Sequence, residues 1–115
     1  MTCIDKIVNL TPHEIRVYPS GYTLMDDAVV VIPPSGQVAR VTMTPVLADV
    51  IGPIDLVRNT AGPVTGLPEP VDGVLYVVSA MVRMATPHRR DIASPGELIR
   101  DTNGQPIGCR GLVVT

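Results

Sequence analysis

The chain contains no tryptophan and no phenylalanine, and its 115 residues include three tyrosines. A core of this composition is assembled from Val, Ile, Leu, Met and Ala, an aliphatic set whose branched members suit the pleated surface of strands. Tyr18, Tyr22 and Tyr76 are the rings available to stack on a base. Lysine is reduced to Lys6, one of nine basic residues against eleven acidic ones, for a formal charge of −2. That balance lacks the strongly basic stripe by which a domain holds nucleic acid, so nucleic acid is not an expected partner. The arginine bias suits bidentate recognition of carboxylate or phosphate, and codon usage in a GC-rich genome produces the same bias. Cys3 and Cys109 are too few for a disulfide framework and lack the clustered spacing of a zinc site. No run approaches the roughly 18 apolar residues of a membrane helix, and Met1 to Lys6 shows no basic region followed by an apolar segment. These features predict a cytoplasmic protein with reduced thiols, no membrane contact and no cofactor.

What remains is a series of short apolar runs punctuated by proline and glycine. At this length a single domain with one core is expected, spanning residues 1–115. Lys6–Leu10 and Glu14–Tyr18 read as two strands paired around a Thr11-Pro12-His13 turn. Ala28–Ile32 and Gln37–Thr42 read as a hairpin closed by Pro33-Pro34-Ser35-Gly36, since a double proline cannot continue a ladder. Pro45–Val57 is ambiguous between a strand and a helical turn. Asn59–Asp72, with three prolines and two glycines, reads as a long loop or irregular hairpin of the kind that often binds. Val74–Val78 is the most strand-like run, central in a sheet. The fold class predicted is a β-dominated α+β domain with about seven short, largely antiparallel strands and one short helix near residues 80–86. Exposed strand edges make a homo-oligomer an expectation.

The polar chemistry concentrates between Ser79 and Gly111, which hold five of the nine basic residues. Ser79 is a good N-cap for a helix over Ala80–Ala85, and such a helix start can attract an anion. Arg83, His88, Arg89 and Arg90 form the one local concentration of positive charge, able to hold a phosphate through charge-assisted bonds. The plainer account is a capped helix followed by a solvated loop in which Arg90 and Asp91 pair. Ser79, His88 and Asp91 supply the residue types of a nucleophilic triad without the Gly-x-Ser-x-Gly elbow, which argues against an enzyme. His13 and His88 lack the spacing of helical metal ligands, so no metal is expected. Asn103-Gly104 is a strong hairpin signal between Glu97–Arg100 and Pro106–Val114, and Cys109 reads as a small buried thiol.

The combination of Asn9-Leu10-Thr11-Pro12-His13, Pro33-Pro34-Ser35-Gly36, Gly73-Val74-Leu75-Tyr76-Val77-Val78-Ser79, and Arg90-Asp91 ahead of Pro95-Gly96 and Ile99-Arg100-Asp101 resembles a group of small, uncharacterised proteins encoded by bacteriophages and prophages. The likeness covers most of the chain and implies a context, not a chemistry. Small phage accessory proteins disarm host defences by capturing a signalling nucleotide or a host protein, and others are minor virion parts. Two expectations follow. In the first, the chain is a non-catalytic, oligomeric binder of a small phosphorylated ligand such as an immune signalling nucleotide. Arg83, His88, Arg89 and Arg90 then hold phosphate, Ser79 offers its hydroxyl and the helix start, and Tyr22 or the loop from Pro33 to Gly36 closes over the base. In the second, it is a protein-interaction or minor virion component acting through strand edges and Pro-rich loops.

Overall fold

Val, Ile and Leu alternate with polar residues over most of the chain, and the computed structural model, which describes residues 6–18 and 30–115, arranges them as eight strands and one helix. The strands are β1 (Lys6–Asn9), β2 (Ile15–Tyr18), β3 (Val30–Ile32), β4 (Arg40–Ile51), β5 (Ile54–Thr65), β6 (Val74–Val77), β7 (Ile92–Arg100) and β8 (Pro106–Val114), with helix α1 (Ala80–Ala85) between β6 and β7. The β-dominated α+β class is as expected. No helix among the described residues is long and apolar enough to cross a membrane.

Six strands form one sheet in the order β1-β6-β7-β8-β2-β3, and β4 and β5 form a sheet of their own. Most paired residues are antiparallel, in β4/β5, β7/β8 and β2/β3. Three short parallel pairings, β1/β6, β6/β7 and β2/β8, join the larger sheet. Its two edges then meet. Asn9 and Pro34 make a parallel bridge, and Ser35 N donates to Asn9 O at 3.0 Å, so the sheet curls toward a barrel. Ile15, Ile32, Val77 and Cys109 pack together in one apolar cluster, while Leu10, Ala39, Tyr76, Val78, Val82 and Ile92 form a second one that takes in α1. Val77 and Val78, adjacent in sequence, belong to different clusters, as the period of two along a strand requires.

Several elements match the sequence reading. The Asn103-Gly104 hairpin joins antiparallel β7 and β8, β6 lies inside the sheet, and Ser79 caps a helix over Ala80–Ala85. Others differ. β1 and β2 do not pair around Thr11-Pro12-His13. The reason is Asn9, 1% exposed, whose side chain takes over the local backbone: Nδ2 donates to His13 O at 2.8 Å and to Ile32 O at 3.1 Å, and Oδ1 accepts Thr11 N at 2.9 Å. The segment becomes a corner that sends β2 to the other side of the sheet. Likewise β3 pairs with β2 and not with the strand after Pro33-Pro34. Ser94-Pro95-Gly96 is no turn but lies within β7, where Pro95 faces Leu112 across the ladder.

The largest departure is the middle of the chain. Pro45–Val57 and the first half of Asn59–Asp72, to Thr65, belong to one hairpin of two 12-residue strands, turning at Gly52-Pro53 with Gly52 at φ +58°. Twelve residues at about 3.4 Å each reach roughly 40 Å. Val41 and Val64, paired at its base, pack against the α1 cluster. Beyond them the hairpin projects as an arm. The Cα radius of gyration, 17.0 Å, exceeds the roughly 13 Å of a compact domain this long, as a projecting arm requires.

Candidate functional site

The basic loop forms where expected, but its groups are differently disposed. Ser79 adopts the extended φ/ψ of an N-cap, and its Oγ accepts from Val82 N at 3.3 Å. Thr86 closes the other end, its Oγ1 donating to Val82 O at 2.9 Å. The helix between them has only six residues, so its dipole is small. Arg83, in the last turn, is turned toward the sheet: Nε donates to Ser94 Oγ at 2.8 Å, and Nη1 reaches Thr115 Oγ1 at 3.4 Å.

Arg89 is also committed. Nε and Nη2 donate to the two carboxylate oxygens of Asp91, each at 2.8 Å, and Nη2 donates in addition to Pro68 O at 3.0 Å. Both side chains are largely buried, 14% and 18% exposed. The Arg89 bond holds the Asp91 carboxyl below the usual carboxylate range against the opposing effect of burial, and the same bond holds the guanidinium more firmly protonated. The ion pair in this loop is therefore Arg89–Asp91, not Arg90–Asp91. It ties the segment before β6 to the start of β7. His88 and Arg90 are exposed and have no hydrogen-bond or ion-pair partner among the described residues. Tyr22 and Cys3 lie outside the described residues.

The structure thus separates the arginines by partner. Arg83 joins α1 to Ser94 and Thr115, Arg89 joins Asp91 to Pro68, and Arg90 faces solvent. No group of three His, Cys, Asp or Glu side chains among the described residues is placed to hold a metal ion. A concavity of about 800 Å³ opens elsewhere, between the Thr11–Arg16 corner, Ser79 and the β7/β8 strands. Its walls are mainly apolar, with Leu98, Ile15 and Cys109 among them, and His13 and Ser79 stand at its polar margin. Cys109 is 4% exposed, and its thiol points to Gly111 O at 3.5 Å.

The feature that sequence reasoning missed is the surface of the β4/β5 arm. Eight of the seventeen exposed large hydrophobic residues among those described lie on it. Directly paired residues of a hairpin share a face. The register therefore puts Met43, Leu47, Val50 and Val57 on one face and Val46, Ile51, Ile54 and Leu56 on the other. Exposure reaches 62% at Ile51 and 59% at Leu47 and Ile54. Both faces are bare because no other described element packs over them as a second layer, and an isolated two-stranded ribbon is marginal in water. The signal was present in the sequence as the alternation Val46/Leu47 and Val50/Ile51 against Ile54, Leu56 and Val57, masked by Pro45 and Pro53.

No protein-family model, no curated protein and no solved structure matches the chain.

Proposed function

We propose that the chain is a non-catalytic interaction protein whose docking element is the β4/β5 arm. The observation that carries this reading is the eight exposed aliphatic side chains on a ribbon that has no covering layer among the described residues. Contiguous exposed apolar surface on this scale marks a contact surface for another macromolecule. The two unpaired edges of the ribbon add main-chain donors and acceptors for strand addition. The resemblance to phage and prophage proteins fits an accessory or minor virion component of this kind.

The test replaces Val46, Ile51, Ile54 and Leu56 together by Thr, which keeps strand propensity and removes apolar area. The native chain is expected to sediment from cells that make it as a species heavier than a monomer, and the variant as a monomer. Equal sedimentation of both as monomers contradicts the reading. Within a phage context, presence in purified particles separates a virion part from an adaptor that stays in the host.

A second reading, capture of a small phosphorylated ligand, is supported by the exposed side chains of His88 and Arg90 beside Arg89. Calorimetry and thermal-shift measurements with cyclic and linear nucleotides test it. Binding lost in a His88→Ala, Arg90→Ala double variant supports it, and absence of any shift with the native chain removes it.

A further inference from the structure

We propose that the partner of the arm is the arm of a second copy of this chain, packed face to face about a two-fold axis at the level of Leu47 and Val57. The inference rests on the docking role just described and names its occupant. Charge decides between the two faces. The face with Val46, Ile51, Ile54 and Leu56 carries Arg58, level with Val46, and Asp49, level with Leu56. Neither forms an ion pair with any described residue. One oxygen of Asp49 accepts from Val50 N at 2.7 Å, and the other has no partner among the described residues.

Arg58 and Asp49 lie on either side of the Leu47/Val57 level, one paired position away in each direction. A two-fold axis there, running across the strands, reverses the second arm, lays β4 on β4 and β5 on β5, and brings each Arg58 level with the other copy's Asp49 on the neighbouring strand, a diagonal within reach of the long arginine side chain. The same operation sets each Val46 level with the other copy's Leu56 on the neighbouring strand, and lays Ile51 over Thr44 and Ile54 over Thr60 at each tip. An isologous contact of this kind is self-complementary in both charge and apolar surface. The opposite face carries Asp55 with no cation and offers no such reciprocal pair.

The area is adequate. The four apolar side chains expose on the order of 400 Å², and Thr44, Thr60, Arg58 and Asp49 extend the face toward the roughly 800 Å² that each partner brings to a stable interface.

The experiment measures the mass of the purified chain by sedimentation equilibrium for the native sequence, Arg58→Asp, Asp49→Arg and the double reversal. Both substituted side chains are solvent-exposed, and circular dichroism checks that the fold is unchanged. The native chain is expected at twice 12.2 kDa. Each single reversal puts like charges together twice per dimer and is expected to weaken association about tenfold or more. The double reversal, and an equimolar mixture of the two single variants, restore it. A native chain that is monomeric when pure overturns the proposal, as does a single reversal that associates like the native chain. If the pure chain is monomeric but the arm is protected from exchange in a complex with another protein, the second-copy inference falls and the docking role stands. If the arm is unprotected in both settings, both fall.

Discussion

The guanidinium of Arg89 grips the carboxylate of Asp91 through two parallel bonds of 2.8 Å, in a pocket closed by the carbonyl of Pro68. The geometry is that of a structural clamp. It holds the approach to β6 against the start of β7, where Asp91 O accepts from Tyr76 N at 2.9 Å. Replacing Asp91 by Asn removes the charge-assisted fork and leaves Arg89 partly buried without its counterion. The expected loss is about 1–3 kcal/mol in urea unfolding.

The same pair sets a pH dependence. The native Asp91 carboxyl titrates below its unfolded value, because the Arg89 hydrogen bond outweighs burial. Its contribution is therefore fully present above the unfolded value of roughly 3.9 and is lost as pH falls through the lowered native value. Unfolding measured between neutral pH and pH 2 is expected to show a steeper acid loss for the native chain than for Asp91→Asn. Parallel curves contradict the clamp.

Asn9 carries a comparable share at the corner between β1 and β2. Its side chain satisfies His13 O, Ile32 O and Thr11 N, and Thr11 Oγ1 lies 2.7 Å from its Oδ1. Truncation to Ala leaves the buried carbonyl of Ile32 without this donor and removes the bonds that shape the corner at Thr11 and His13. A loss of about 2–4 kcal/mol is expected, and Asn9→Asp fails to rescue it because a carboxylate cannot donate to the two carbonyls.

Gly96 and Gly104 separate steric from conformational need. A Cβ on Gly96 collides with the carbonyl oxygen of Arg110 and comes within 2.8 Å of that of Gly111, so Ala there forces β7 and β8 apart. Gly104 sits at φ +80° with open space around its Cβ position. Gly104→Ala is expected to cost about 1–2 kcal/mol from the left-handed backbone alone. Gly96→Ala is expected to cost more, read as a larger drop in the thermal midpoint.

The legible parts of this fold were those governed by local chemistry. Ser79 before an apolar hexamer, Asn103-Gly104 between alternating runs, and the unbroken Val74–Val78 run each carry their own instruction. Partner choice was not legible. Asn9, an ordinary polar residue in sequence, acts across 23 positions to Ile32, and no local pattern announces that. Pro45, Pro53 and Pro63 suggested breaks, yet a ribbon that is all edge tolerates proline where an interior strand does not. The basic loop was legible as a cluster of charges, while the partners of Arg83 and Arg89 depended on Ser94 and Pro68, which the fold brings in from other elements.

The arm is the most direct place to test the whole account. Hydrogen–deuterium exchange over residues 43–57 compares the native chain in its assembled state with the variant carrying Thr at Val46, Ile51, Ile54 and Leu56. A docked arm is expected to exchange on the slow timescale of the β7/β8 ladder in the native chain, and to lose that protection in the variant. An arm that exchanges as fast in the native chain as in the variant, with β7/β8 protected in both, would contradict the claim that it is a docking element.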